Sequence, residues 1–370
     1  MNAILMLLLL TIVIIPLFLI LMFTPYVTRK TESFGVSIPE SMYNDDQFRK
    51  MRKSYVIRTG ILSAISLLVF LLLGIIYGNR EEFVGIIYAA IIVAFIIGSF
   101  LIYLTFHKQM KQIKRTANWK DDKTEHVVID TTFHSQKNTY SNGWFLFPFI
   151  LIVATVFITF FQYDRIPGQI PMQYDFSGEV TNWATKSVKS VIIMPVMQLF
   201  MLILFVFINV VINRAKQQIS AENPEESAKQ SRIFRRRWSL FLMISGTLLI
   251  ALLGVIQLSF IYPIDNTVLT VVGVGISGVT LIGAIILAFT TGQGGSRVKV
   301  AKDKNDAKID RDDDRYWKLG QFYFNRHDPS IFLEKRFGIG WTCNFAHPVS
   351  WIFIIGILVI AAGIPILLSI

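Results

Sequence analysis

Residues 188–212, VKSVIIMPVMQLFMLILFVFINVVI, decide the architecture: 25 residues carry one charge, Lys189, at the edge. A helix crosses the hydrocarbon core with about 20 apolar residues, so this stretch reads as a membrane span. Working outward, seven more stretches meet the same requirement: 3–23, 58–78, 83–105, 144–161, 238–260, 267–290 and 349–369. Composition agrees. Of 370 residues, 53% are hydrophobic and only 16% charged, against about 25% charged in an average soluble domain. The expected fold is an all-α polytopic membrane helix bundle of about eight transmembrane helices. A single cysteine, Cys343, excludes an internal disulfide and any multi-cysteine metal site.

The stretch 3–23 reads as an uncleaved span and not a signal peptide, because no basic n-region precedes it and it ends at Arg29-Lys30 without a small-residue cleavage site. Loop charge then sets orientation. Residues 24–58, 107–143 and 213–237 carry seven Lys or Arg each, and 291–348 carries eleven, so 32 of the 36 basic residues fall on one side of eight alternating spans. The positive-inside rule puts that side in the cytoplasm, with both termini outside. The net charge of +11 therefore reads as topology. Arg232, Arg235, Arg236 and Arg237 abut a span without stacking aromatics, which favours contact with anionic lipid over direct nucleic-acid binding.

No Asp, Glu, Lys, Arg or His lies well inside a span. The polar exceptions are Gln198, Asn209 and Gln257, of which Gln198 and Gln257 are read first as hydrogen-bonding glue between helices. Pro16, Pro148, Pro195 and Pro365 predict kinks or breaks, and Gly273, Ser277, Thr280 and Ala284 predict a small-residue packing face.

The chain divides into 1–143, three spans with cytoplasmic loops; 144–212, a helix–loop–helix unit; 213–290, two further spans; 291–315, a flexible linker; 316–348, an aromatic-rich cytoplasmic module; and 349–370, the last span. After Pro39 an amphipathic helix is expected to lead into the second span. Asn223-Pro224 reads as a helix start, and the acidic run Asp310, Asp312, Asp313 and Asp314 as solvated charge. Within the module Trp317, Gly320, Asn325, Asp328, Pro329, Gly340, Trp341 and Asn344 are the candidate partner-surface residues. Short strands or an interfacial element are expected at 331–333 and 337–341.

One long outer loop, 162–187, remains. Pro167 and Pro171 favour extended backbone, Ser177-Gly178 marks a turn, and Tyr174, Phe176 and Trp183 are expected to anchor the loop on the membrane face. Asp164, Asp175 and Glu179 could pair with Arg165, Lys186 and Lys189. The candidate recognition residues are Pro167, Pro171, Gln173, Tyr174, Asp175, Gly178, Trp183 and Lys186. The loop reads either as a structured cap on the bundle or as a surface that binds a secreted peptide.

The run Ile170-Pro171-x-Gln173-Tyr174-Asp175-x-x-Gly178-x-x-Thr181-x-Trp183-x-Thr185-Lys186 resembles the domain of unknown function numbered 1648, found in the SdpI-like toxin-immunity family. Family members usually have His at the position of Gln173, Asp at Thr181 and Ser at Thr185. Phe34 to Pro39 resembles a stretch of longer members. Residues 316–345, with Trp317-Lys318-Leu319-Gly320 and Gly340-Trp341-Thr342-x-Asn344-Phe345, resemble a second such domain, numbered 5808. The resemblance implies a bacterial plasma-membrane protein that gives immunity to a secreted peptide or senses envelope stress, with a cytoplasmic regulator as a further partner. A transporter, or a subunit of one, is the alternative. The five His residues lack metal-site spacing and Cys343 reads as a structural thiol, so no catalytic, metal or cofactor residues are assigned and an enzyme is not expected.

Overall fold

The computed structural model describes residues 3–78, 80–117, 137–174, 180–219, 224–299 and 314–369. Among the described residues eight α-helices form: α1 (Ala3–Val27), α2 (Asp46–Tyr77), α3 (Glu81–Thr116), α4 (Leu146–Phe161), α5 (Val188–Arg214), α6 (Pro224–Leu258), α7 (Asn266–Thr291) and α8 (Pro348–Ser369). The first seven are each long and apolar enough to cross a membrane. The eighth runs 22 residues. The chain is a multi-pass helical membrane protein.

Helices α1, α2 and α3 pack as one trio, and α4, α5 and α6 as another. Helix α7 bridges the trios, touching α1 through Phe23 and Phe289 (ring centroids 6.1 Å apart) and α6 where Gly273 faces Leu252 and Gly283 faces Phe241. Of the residues expected on this packing face, Gly273, Thr280 and Ala284 are half-buried and Ser277 is exposed. Helix α8 stacks Phe353 on Phe207 of α5, with centroids 4.1 Å apart.

Three helices run well past the expected span limits. Helix α2 starts twelve residues before position 58, directly behind the Asp45 cap, whose carboxylate accepts from the Gln47 N–H. Helix α3 continues to Thr116, and α6 begins at Pro224; the expected Asn223 cap lies outside the described residues. The extensions are helical because they bury a stripe of their own. Phe48, Met51 and Tyr55 of α2 meet Phe106 and Met110 of α3, with Arg49, Lys50 and Lys53 left on the outer face and Arg52 buried over the Tyr43 ring, 4.1 Å from its centroid.

Among the described residues there are also four two-stranded hairpins: β1 (Glu32–Ser33) with β2 (Val36–Ser37), β3 (Gln169–Tyr174) with β4 (Val180–Thr185), β5 (Trp317–Lys318) with β6 (Phe322–Tyr323), and β7 (Phe332–Glu334) with β8 (Trp341–Cys343). All but β3–β4 lie at one end of the bundle. There Arg29 after α1 meets Glu334 before α8, Lys114 of α3 meets Asp314, Lys216 after α5 meets Asp328, and Asn209 of α5 donates to the Tyr140 carbonyl before α4. These contacts bring the four basic loops to the same end. At the opposite end Gln162 after α4 donates to the Tyr262 hydroxyl after α6, at 2.6 Å.

Candidate functional site

The β3–β4 hairpin fills most of the long loop at the sparsely basic end. Its register pairs Gln169 with Thr185, Ile170 with Ala184 and Pro171 with Trp183, and then shifts through a bulge at Met172–Gln173. Alternation decides which side chains point inward. Ile170, fully buried, packs with Ile166, Val191 of α5 and Phe260 beyond α6. These isoleucines are the anchors. Tyr174 and Trp183, expected to be the anchors, are 39% and 52% exposed and project from the hairpin. Gln173 and Pro167 are also exposed, and Pro171 is half-buried. Asp175, Phe176, Gly178 and Glu179 lie outside the described residues.

Lys186 closes the hairpin base. Its ammonium donates to the Ile166 carbonyl at 3.0 Å and lies 4.6 Å from the Tyr163 ring centroid, while its backbone N–H donates to the Gly168 carbonyl. Among the described residues it therefore acts on backbone and ring; Asp175 and Glu179, two of the acidic groups expected to pair, lie outside them. Ser187 and Ser190 then form a reciprocal capping box that starts α5. The hairpin stands on a rigid base with an exposed aromatic upper part.

At the basic end the module residues converge, with one exception. Asn344 is fully buried; its amide donates to the Asn325 and Asp328 carbonyls, and its oxygen accepts from the Asn325 and Ala346 N–H groups. Asp328 accepts from Lys216 (2.6 Å), the Tyr323 hydroxyl (2.8 Å) and the Ser330 N–H (3.0 Å). Trp317 is buried against Tyr323 with the Arg336 guanidinium 5.1 Å from its ring centroid, and Trp341 packs on Phe234 of α6. The Gly340 N–H donates to the Gln293 side chain, which donates back to the Gly340 carbonyl. Pro329 is exposed at the turn. Most of these candidates thus build the interior of the module and not its surface.

Burial alone would raise the Asp328 carboxyl, but the bonds from Lys216, Ser330 and Tyr323 outweigh it and hold the pKa at about 2, below its ordinary 3.8. A depressed carboxylate stabilises the fold above its ordinary value, and this contribution disappears as pH falls from about 4 toward 2. Asp328→Asn should therefore cost on the order of 1–2 kcal/mol at pH 7 and nothing further below pH 2, read from thermal unfolding of the purified protein at both pH values.

The glycine-rich start of the segment read as a linker also docks. Gly292, Gly294 and Gly295 have positive φ of 63°, 60° and 82°, and Gly295 sits against the Gln230 backbone of α6. At Gly294 a Cβ would lie 2.7 Å from the Arg29 Nε, so a side chain there would displace the ion pair described next.

The sequence reading missed a buried ionic network. Arg235 and Glu334 are both fully buried and joined at 2.7 Å, and the second oxygen of Glu334 holds Arg29. Arg235 also donates to the Ile212 carbonyl of α5. Glu32 lies 3.6 Å from Arg29 and 3.9 Å from Arg336. Asp314 gathers Arg336, Lys114 (2.6 Å) and the Ser37 hydroxyl (2.8 Å). Arg235 thus leaves the lipid-facing cluster in which its neighbours placed it, and Asp314 leaves the solvated acidic run; Asp310, Asp312 and Asp313 lie outside the described residues.

Two left-handed turns meet beside this network. Phe34-Gly35 joins β1 to β2, and Leu319-Gly320 lies between β5 and β6, with positive φ at all four residues. The Tyr103 hydroxyl of α3 donates to the Leu319 carbonyl at 2.9 Å, and His107 Nδ1 lies 2.8 Å from the Phe34 carbonyl. Cys343, half-buried on β8, has its thiol pKa raised by burial, as suits a structural thiol.

Within the membrane Gln198 donates to the Ile250 carbonyl of α6 (2.9 Å), and Gln257 donates to the Thr159 hydroxyl of α4 (3.3 Å). Asn209 is engaged elsewhere, with Tyr140, Asn142 and Ser239, about 16 Å further along α5. All three serve as interhelical glue.

Fold and site together define an integral membrane protein with a rigidly based hairpin at one end and a packed polar module at the other. Residues 150–199, from mid-α4 through the hairpin to mid-α5, match the family model described as Domain of unknown function (DUF1648). Residues 326–351 match that described as Family of unknown function (DUF5808), which includes Asp328, Pro329, Gly340, Trp341 and Asn344 and begins after Trp317, Gly320 and Asn325. The chain carries the two domains in the expected order. No curated protein and no solved structure matches it.

Proposed function

We propose that this is a bacterial plasma-membrane protein of the SdpI-like kind, with both termini outside, which gives immunity to a secreted antimicrobial peptide or reports envelope stress. The observation that carries this reading is the β3–β4 hairpin, whose anchors are buried isoleucines and whose Tyr174 and Trp183 face outward. A two-stranded hairpin leaves free edges, so an extended peptide can add a strand there and lay apolar side chains on the two rings. Binding would be reported along α6, which runs from the cluster around Phe260 to Arg235, with the module as the surface for a cytoplasmic regulator. The role is recognition, without catalysis or cofactor. The transporter alternative needs Gln198, Asn209 and Gln257 to line one cavity, and their separate partners do not support it.

The test is a strain lacking the gene, challenged with envelope-active peptides secreted by its competitors and complemented with variants. Trp183→Ala combined with Tyr174→Ala should reduce protection at least about tenfold with unchanged membrane abundance, as expected for two aromatic contacts. Unaltered sensitivity on deleting the gene would refute immunity. In a Cys343→Ser background, an impermeant thiol reagent on whole cells should label Thr181→Cys and spare Ser227→Cys; the opposite pattern would reverse the orientation.

A further inference from the structure

A cavity of about 240 Å³ opens beside the β5–β6 and β7–β8 hairpins, at the end of the molecule opposite the exposed hairpin. Its polar lining includes Lys335, Gln321 and Thr342, and the rings of Phe322, Phe337 and Phe345 form its apolar wall. The cavity sits at the membrane boundary. Phe322 meets Phe100 of α3 and Phe345, and Phe345 meets Trp351 in the first turn of α8, whose indole N–H donates to the Phe345 carbonyl. Phe322 and Trp351 are 41% and 49% exposed, a belt of rings suited to the depth of lipid headgroups.

The charges in this cavity are not equivalent. Arg336 is committed to Asp314, with its guanidinium over Trp317. Lys335 forms no ion pair among the described residues. A lone ammonium beside an amide and a hydroxyl, walled by phenyl rings at headgroup depth, matches a phosphodiester that carries acyl chains.

We propose that this cavity seats the phosphate of an anionic phospholipid from the leaflet at the basic end of the bundle. Lys335 supplies the charge, Gln321 and Thr342 supply hydrogen bonds, and the rings contact the start of the acyl chains. This assignment is independent of any ligand of the outer hairpin.

Native mass spectrometry of the full-length protein in neutral detergent tests it, with phosphatidylglycerol and phosphatidylcholine supplied at equal concentration. The wild type should retain phosphatidylglycerol at least about fivefold over phosphatidylcholine, the preference expected of one basic group at a membrane surface. Lys335→Gln should abolish the preference and Lys335→Arg should keep it. Lys299→Gln, at an exposed lysine of the same end, should leave it intact. Because Lys335 is exposed, the Gln variant should unfold in lipid-free detergent at the wild-type temperature, which separates lost binding from lost folding. Retained preference in Lys335→Gln, or equal loss in Lys299→Gln, would overturn the proposal. So would displacement of the lipid by inorganic phosphate at about 10 mM, since free phosphate would then be the ligand.

Discussion

Glu334→Gln should destabilise the folded bundle by about 3–5 kcal/mol, the largest effect expected of any single substitution at the basic end. Glu334 is fully buried and its carboxylate serves two guanidinium groups, Arg235 from α6 and Arg29 from the end of α1. A neutral amide keeps the shape and some hydrogen bonding but leaves two cations in a desolvated place with one negative charge fewer. The energy lost is chiefly the cost of uncompensated buried charge, not the net worth of the pair. For the same reason Arg235→Met combined with Glu334→Met should cost clearly less than the sum of the two single changes. Thermal unfolding of the four proteins in detergent gives the coupling, and strictly additive costs would show that the pair is not a unit.

Gly320→Ala should come next, at about 2–5 kcal/mol. Two penalties add: Gly320 has φ of +70°, and a Cβ there would stand 2.5 Å from the Tyr103 hydroxyl and 2.6 Å from His107 Nδ1. The residues it would strike belong to α3, so the damage falls on the docking of the module against the first trio. Tyr103→Phe, which removes only the hydroxyl, should cost about 1 kcal/mol. Hydrogen exchange is the discriminating measurement. In Gly320→Ala protection should fall across β5, β6 and the Phe34-Gly35 turn while α4, α5 and α6 keep theirs. Uniform loss would mean the glycine serves the whole bundle.

The spans were legible because burial in lipid needs only a run of apolar residues, and runs are visible in sequence. Their true ends were legible only in part. The extension of α2 through Phe48, Met51 and Tyr55 was legible as the amphipathic lead-in expected after Pro39, but the continuation of α3 to Thr116 was not, because Arg and Lys interrupt its apolar stripe and mean hydropathy fails there. The hairpin residues were found through their motif, yet Tyr174 and Trp183 were given the wrong direction, since aromatic residues are read as anchors by default. Ile166 and Ile170 were legible as apolar residues in a polar loop and passed over. Arg235 could not be singled out from Arg232, Arg236 and Arg237, because what separates them is a glutamate 99 positions away. Asn344 and Asp328 were identified as residues that matter, but a short buried polar residue in a turn-rich segment looks the same whether it faces inward or outward.

The position of Glu334 also bears on how the chain is made. Arg29 and Arg235 enter the membrane-bound chain early, the first before α2 and the second at the start of α6, while their shared carboxylate is synthesised only fourteen residues before α8. During most of synthesis Arg235 has no buried counterpart and Arg29 has only Glu32, three residues on. The interior of the basic end therefore cannot close until the module has emerged, and insertion of the last helix and sealing of that interior become one late, concerted event. A chain interrupted before residue 334 would expose its arginines, a state that quality-control proteases could distinguish from the finished protein by charge alone.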